Sequence, residues 1–219
     1  RKADFMSISA LDKEYVAGTY GRFPVELVSG KGSYFFDAEG KRYIDMGSGI
    51  GVTCFGTGDD QWLASVTAQL SKLQHTSNLY YTEPCAKLAE QLCTRTGMSA
   101  VFFGNSGAEG NEGIIKLARK YSFDKYGEGR STILTLKDSF HGRTITTLNA
   151  TGQDMFHQYF FPFTEGFKYV KANDFSDLAM TADDTVCAVM MELVQGEGGV
   201  NVLDKEYVKT VAEYCKKND

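Results

Sequence analysis

Apolar positions change their spacing along the chain, and each change predicts a different element. From Val25, the runs Val25–Val28, Ser33–Phe36 and Lys41–Ile44 are separated by Ser-Gly-Lys-Gly and Asp-Ala-Glu-Gly. Short runs divided by glycine-containing turns predict a small antiparallel meander. Beyond a Gly-rich passage, Trp62, Leu63, Val66, Leu70 and Leu73 return every three or four residues, the period of a helix with one buried face. A second helix carries Pro84 in its first turn, Cys85, Leu88, Ala89, Leu92 and Cys93 on one side, and Gly97 at its end, the usual order of helix start and stop signals. On that side Cys85 and Cys93 read as small core hydrophobes. Residues 1–24 read as a helix with a loop.

From residue 100 the chain alternates: an apolar run Ala100–Phe103, a helix over 107–122, a run Thr132–Leu136, a short helix over 145–150, a run Phe167–Val170, a helical turn over 175–180, a run Val186–Val194 and a helix over 204–217. Strands alternating with helices predict a mostly parallel sheet covered on both faces. Ile133–Leu136 and Val186–Met191 are continuously apolar, as buried central strands are. The fold class is therefore α/β, with a small N-terminal α+β segment over 1–58 and the first part of a larger α/β domain over 59–219.

Composition narrows the function. The 219 residues are 42% hydrophobic and 23% charged, which excludes disordered and fibrous classes. A net charge of -5 argues against a nucleic-acid partner, which asks for a basic stripe to neutralise phosphates. No run approaches the roughly eighteen apolar residues of a membrane span, and Arg1–Phe5 does not lead into a signal-like stretch. Five cysteines without a C-x-x-C pair fit a reducing cytoplasm. His75, His141 and His157 lack ligand spacing with one another or with the cysteines, so no metal is expected.

Three loops at predicted strand ends carry candidate chemistry. In Gly104-Asn105-Ser106-Gly107-Ala108-Glu109 a strand turns through small residues into a helix. Ser106 can cap it and Glu109 complete a capping box, leaving first-turn N–H groups aimed at an anion; a well-capped, closely packed helix explains the same residues. Gly110 and Gly113 inside that helix each cost roughly 1 kcal/mol against alanine, which points to close backbone contact. In Ser139-Phe140-His141-Gly142-Arg143-Thr144, Phe140 offers a face for a planar ring and Arg143 a fork for a carboxylate; a core aromatic beside a surface arginine is the alternative. Glu192 and Glu197 stand in the third loop, Glu192–Gly199. Gly47-Ser48-Gly49-Ile50-Gly51 lacks the third glycine of a dinucleotide loop, since Val52 and Cys54 occupy the required places, and reads as a flexible pocket loop.

Together, Asn105–Glu109 with Asn111-Glu112 and Lys116–Arg119, Phe140–Thr144, and Gln195–Gly199 resemble the class III pyridoxal-phosphate aminotransferases, most closely the acetylornithine aminotransferase branch. Gly40–Asp45, His75–Asn78 and Tyr81–Pro84 extend the likeness over nearly the whole chain. The resemblance implies a fold-type-I transferase and a cytoplasmic homodimer, in which the cofactor is pyridoxal 5'-phosphate and the substrates are a small amino acid and 2-oxoglutarate. It implies that Gly107 and Ala108 hold the cofactor phosphate, Phe140 stacks on its ring, Arg143 binds the substrate carboxylate, and Glu197 manages a second arginine. The expected activity is transfer of the amino group of N-acetylornithine or a relative. Ornithine, succinylornithine and 4-aminobutyrate aminotransferases and aminomutases are alternatives, as is a non-catalytic fragment. Family members continue to a Schiff-base lysine, and this sequence stops before it, so the chain reads as truncated and is expected to be inactive alone.

Overall fold

The computed structural model describes residues 6–219; the start Arg1–Phe5, read above for a signal, lies outside the described residues. The chain folds as two compact units, one running to Ala86 and the other spanning Lys87–Asp219.

In the first unit α1 (Ile8–Tyr15) opens at Ser7, whose side chain accepts the Ala10 N–H. The expected meander follows as β1 (Leu27–Lys31), β2 (Tyr34–Asp37) and β3 (Arg42–Ile44), antiparallel in that order. Gly30 is required there, because a Cβ on it would stand 2.9 Å from both the Phe35 ring and the Thr57 methyl. The glycine passage is a tight turn rather than a flexible loop: α2 (Ser48–Gly51) holds Gly49 and Ile50 at φ 61, and the Asp45 carboxylate accepts the Gly47 and Ser48 N–H groups at 3.0 and 2.8 Å. Helix α3 (Asp60–Lys72) is capped by Asp59, which accepts the Trp62 N–H at 2.7 Å.

The second predicted helix is α4 (Glu83–Thr96), ended by Gly97 at φ +74. The buried faces expected of these two helices are not found. Trp62 is 52% exposed, no residue of α3 or α4 is buried, and Cys85 is exposed. Periodicity marks the side of a helix that gains from cover, and the described residues do not supply that cover.

In the second unit α5 (Gly107–Tyr126) leads to β4 (Thr132–Leu136), α6 (Ile145–Ala150), β5 (Phe167–Val170), α7 (Phe175–Thr181), β6 (Val186–Met190), a short antiparallel pair β7 (Val194–Gln195) and β8 (Asn201–Val202), and α8 (Lys205–Asn218). The sheet order is β5-β4-β6, all parallel. As its apolar run predicts, β4 is central, with Ile133 to Leu136 each no more than 1% exposed. On one face Leu134, Leu136 and Val170 pack with Leu178 of α7 and with Leu203, Tyr207 and Val211 at α8. Ile115 of α5 and Leu148 of α6 are buried as well.

Two expected strands differ. Ala100–Phe103 joins none of the described ladders; the parallel sheet holds β5, β4 and β6 alone among the described residues. An apolar run becomes a strand only where its backbone finds a ladder partner. Phe102 instead lies over α5, where a Cβ at Gly113 would come within 2.9 Å of its ring. The run Val186–Val194 divides after Met190, so Glu192 falls in a loop between β6 and β7, and β6 is a half-buried outer strand of the described sheet rather than the buried central one its composition predicts.

Candidate functional site

β4 and β6 aim their carboxyl ends at the loops that carry Phe140, Arg143 and Glu192, the usual place for ligands in such sheets. The site begins at the N-terminus of α5. Ser106 Oγ accepts the Glu109 N–H at 3.2 Å, which is the cap the sequence predicts. The reciprocal half reaches one residue further back than a capping box: Glu109 Oε2 accepts from the backbone N–H of Asn105 at 2.5 Å and from its side-chain amide at 2.9 Å. The carboxylate is thereby committed to Asn105. The N–H groups of Gly107 and Ala108 lie in the first turn, where the helix offers no acceptor. An added Cβ at Gly107 meets nothing within 4 Å, so an anion has room to approach. Gly110 is equally open, while Gly113 carries the close contact expected of both.

The loop after β4 packs on this helix start. A Cβ at Gly142 would lie 2.8 Å from the Ala108 methyl and 2.6 Å from Thr147 Oγ1, at a φ of +134; only glycine fits both the space and the backbone. Asn111 donates its amide to the His141 carbonyl at 2.8 Å, and Thr144 donates its hydroxyl to Glu112 at 2.5 Å. Phe140 is half-buried, edge-on to Phe156 at 5.8 Å between centroids. The Arg143 guanidinium stands 5.9 Å from the Phe140 ring centroid. Gly107, Ala108, Phe140 and Arg143 thus belong to two adjoining segments of one site.

The third loop is fastened to the second. Glu192 Oε2 accepts the Phe140 N–H at 2.9 Å, and Gln195, only 2% exposed, donates its amide to the Lys137 carbonyl at 2.8 Å. At Gly198 an added Cβ would sit 2.3 Å from the Asp138 carbonyl oxygen. Glu197, between them, is exposed.

Sequence reasoning misses the buried polar cluster beneath the loop. Ser139, Thr147 and Thr151 have no exposed surface and His141 is 5% exposed. Thr151 Oγ1 accepts the His141 N–H at 2.9 Å and donates to the Thr147 carbonyl at 3.0 Å, while Ser139 Oγ accepts the Gly152 N–H at 3.0 Å. The Thr147 to Thr151 spacing of four, next to a glycine loop, is the signal that was available. Burial pushes the His141 imidazole down to about 4, and its Nε2 has no hydrogen-bond partner. Among the described residues no three His, Cys, Asp or Glu side chains group as metal ligands would, and no helix is long and apolar enough to cross a membrane.

This chain is 54% identical over 213 residues to the acetylornithine aminotransferase of Haemophilus ducreyi, an alignment covering 97% of this chain and 54% of the relative. Its backbone superposes on N-acetylornithine aminotransferase from Stenotrophomonas maltophilia with a TM-score of 0.76 at 33% identity, covering 94% of this chain and 50% of the other. Ornithine aminotransferase from Toxoplasma gondii, crystallised with partial occupancy of PLP at its active site, matches with a TM-score of 0.88 at 28% identity over 95% of this chain and 50% of that one. The chain spans about half the length of the relatives it matches. Residues 15–219 match the family described as Aminotransferase class-III. With that match over most of its length, the chain belongs to the class-III aminotransferases.

Proposed function

We propose that the intact protein is a pyridoxal-phosphate-dependent aminotransferase that moves an amino group between N-acetylornithine, or a closely related amino acid, and 2-oxoglutarate. The observation that carries this reading is the junction of Ala108 with Gly142, which brings the open α5 N-terminus and the Phe140–Arg143 loop together. The names of the relatives support this substrate class. Arg143 favours a donor with an α-carboxylate.

The open first turn fits a phosphate, and the half-buried Phe140 fits a planar ring. Gly107 and Ala108 would bind the phosphate through their N–H groups and the positive end of α5. Phe140 would lie over the pyridine ring, and Arg143 would take the α-carboxylate through paired N–H donors. Glu197 would hold the second arginine away from the pocket until a keto acid arrives. Bound pyridoxal phosphate supplies an electron sink for proton movement at the substrate's α-carbon.

None of the lysines in this chain is assigned as the residue that bonds the cofactor. Lys116 and Lys137, nearest the site in sequence, are exposed on α5 and just beyond β4. A homodimer in the cytoplasm completes the proposal, and five thiols without a disulfide fit a reducing compartment. Steady-state rates of the intact protein with a panel of amino donors test it. A preference for N-acetylornithine supports the assignment, and a preference for 4-aminobutyrate sinks it.

A further inference from the structure

We propose that Glu192 is a positioning residue for the ring of Phe140. Its carboxylate, from the loop after β6, accepts the Phe140 N–H at 2.9 Å. The backbone around that amide is held elsewhere by other groups. Gln195 donates to the Lys137 carbonyl at 2.8 Å, the Asp138 N–H donates to the Gly152 carbonyl at 2.8 Å, Gln153 donates to the Ser139 carbonyl at 3.0 Å, and the His141 N–H donates to Thr151 at 2.9 Å. Gly198 lies close under Asp138, which sits at φ +62, so this stretch has no slack on that side.

With Lys137, Asp138, Ser139 and His141 fixed by these groups, the freedom left by loss of Glu192 falls on the Phe140 peptide. That peptide sets the direction of the Phe140 Cα–Cβ bond and hence the plane of the ring. A carboxylate suits the task because a hydrogen bond to a charged acceptor is stronger than a neutral one. Leaving the amide half-buried without an acceptor favours a rotated peptide that finds one elsewhere.

The inference rests on the reading that Phe140 lies over the cofactor ring, so the test separates the two. In the intact holoprotein, the affinity for pyridoxal phosphate and the visible circular dichroism of the bound cofactor are measured for Glu192→Ala, Glu192→Gln, Phe140→Ala and the double variant Glu192→Ala/Phe140→Ala. Glu192→Ala is expected to raise the Kd about tenfold and weaken the dichroic band, the loss of one charge-assisted bond. Glu192→Gln, whose amide oxygen still accepts, stays within about threefold of the wild type, as a neutral hydrogen bond replaces a charged one. In the Phe140→Ala background, Glu192→Ala adds nothing, because residues that act through one another are not additive.

Equal effects of Glu192→Ala with and without the Phe140 ring overturn the proposal, as does an unchanged Kd and dichroism in Glu192→Ala where Phe140→Ala weakens binding. If Phe140→Ala itself changes neither, the stacking reading falls and takes the role of Glu192 with it. A measurement without substitution stands beside these: the Phe140 amide of the wild-type holoprotein exchanges slowly with solvent deuterium if the bond exists, and fast exchange overturns it.

Discussion

The Cα of Gly142 lies so close to the Ala108 methyl that a Cβ on residue 142 would stand 2.8 Å from it. Two segments far apart in sequence meet there with nothing between them. Gly142→Ala must displace the loop from the helix while also straining a backbone at φ +134. The expected cost is about 3 kcal/mol of stability, combining overpacking with a strained backbone. Denaturant unfolding of the intact protein checks it, and a loss inside the range of ordinary surface changes would show that the loop moves away freely.

Arg143→Ala is expected to raise KM for the amino donor about a hundredfold while changing cofactor affinity little, the signature of a lost paired bond to a carboxylate. The guanidinium also lies 5.9 Å from the Phe140 ring centroid, so Arg143→Lys keeps the charge, loses the planar fork and should recover only part of the effect. Unchanged kinetics in both variants would remove Arg143 from the substrate side.

His141 links stability to acid. Its imidazole is held down at about 4 by burial against an ordinary value of 6.5. The unfolded chain therefore takes up the proton first as pH falls, and stability is lost between about 6.5 and about 4, then levels. The total is on the order of 3 kcal/mol. His141→Gln removes the titration, so the difference in stability between wild type and variant should change across that window and be flat above it. A constant difference would mean the imidazole titrates as it does in water.

The 219-residue chain, mixed with pyridoxal phosphate and reduced with borohydride, should gain no lysine-linked mass at stoichiometric yield. A covalent link needs an amine held at the cofactor's aldehyde, and Lys116 and Lys137 are exposed. Stoichiometric labelling of one lysine, abolished by its substitution, would contradict this. Lys137, which precedes the Phe140 loop, is the first to test.

Sequence reading is strongest where one residue type serves one purpose. Ile133, Leu134 and Leu136, with Thr135 alone between them, form the most buried strand of the sheet. Gly97, Ser106 and Asp204 mark a helix end and two helix starts. It is weakest where the outcome depends on a distant partner. Ala100–Phe103 has the composition of a strand and no ladder to join, and the apolar side of α3 has no cover among the described residues. Gly107, Phe140 and Arg143 stand out as candidates from their motifs alone. Their supports do not: Thr147 and Thr151 look like helix-surface threonines until the loop folds over them, and Glu192 shows its acceptor role only once Phe140 lies beside it.

The two outer strands of the parallel sheet are guarded differently. β5 carries Lys168, paired with Asp183, whereas β6 reads Val-Cys-Ala-Val-Met, with no charge from end to end. A charged outer strand discourages addition of a foreign strand, and an uncharged apolar one invites it. Addition of a foreign strand to this polypeptide in isolation is thus favoured along Val186–Met190. A single lysine written into that strand should slow its aggregation, as light scattering of the isolated polypeptide would show.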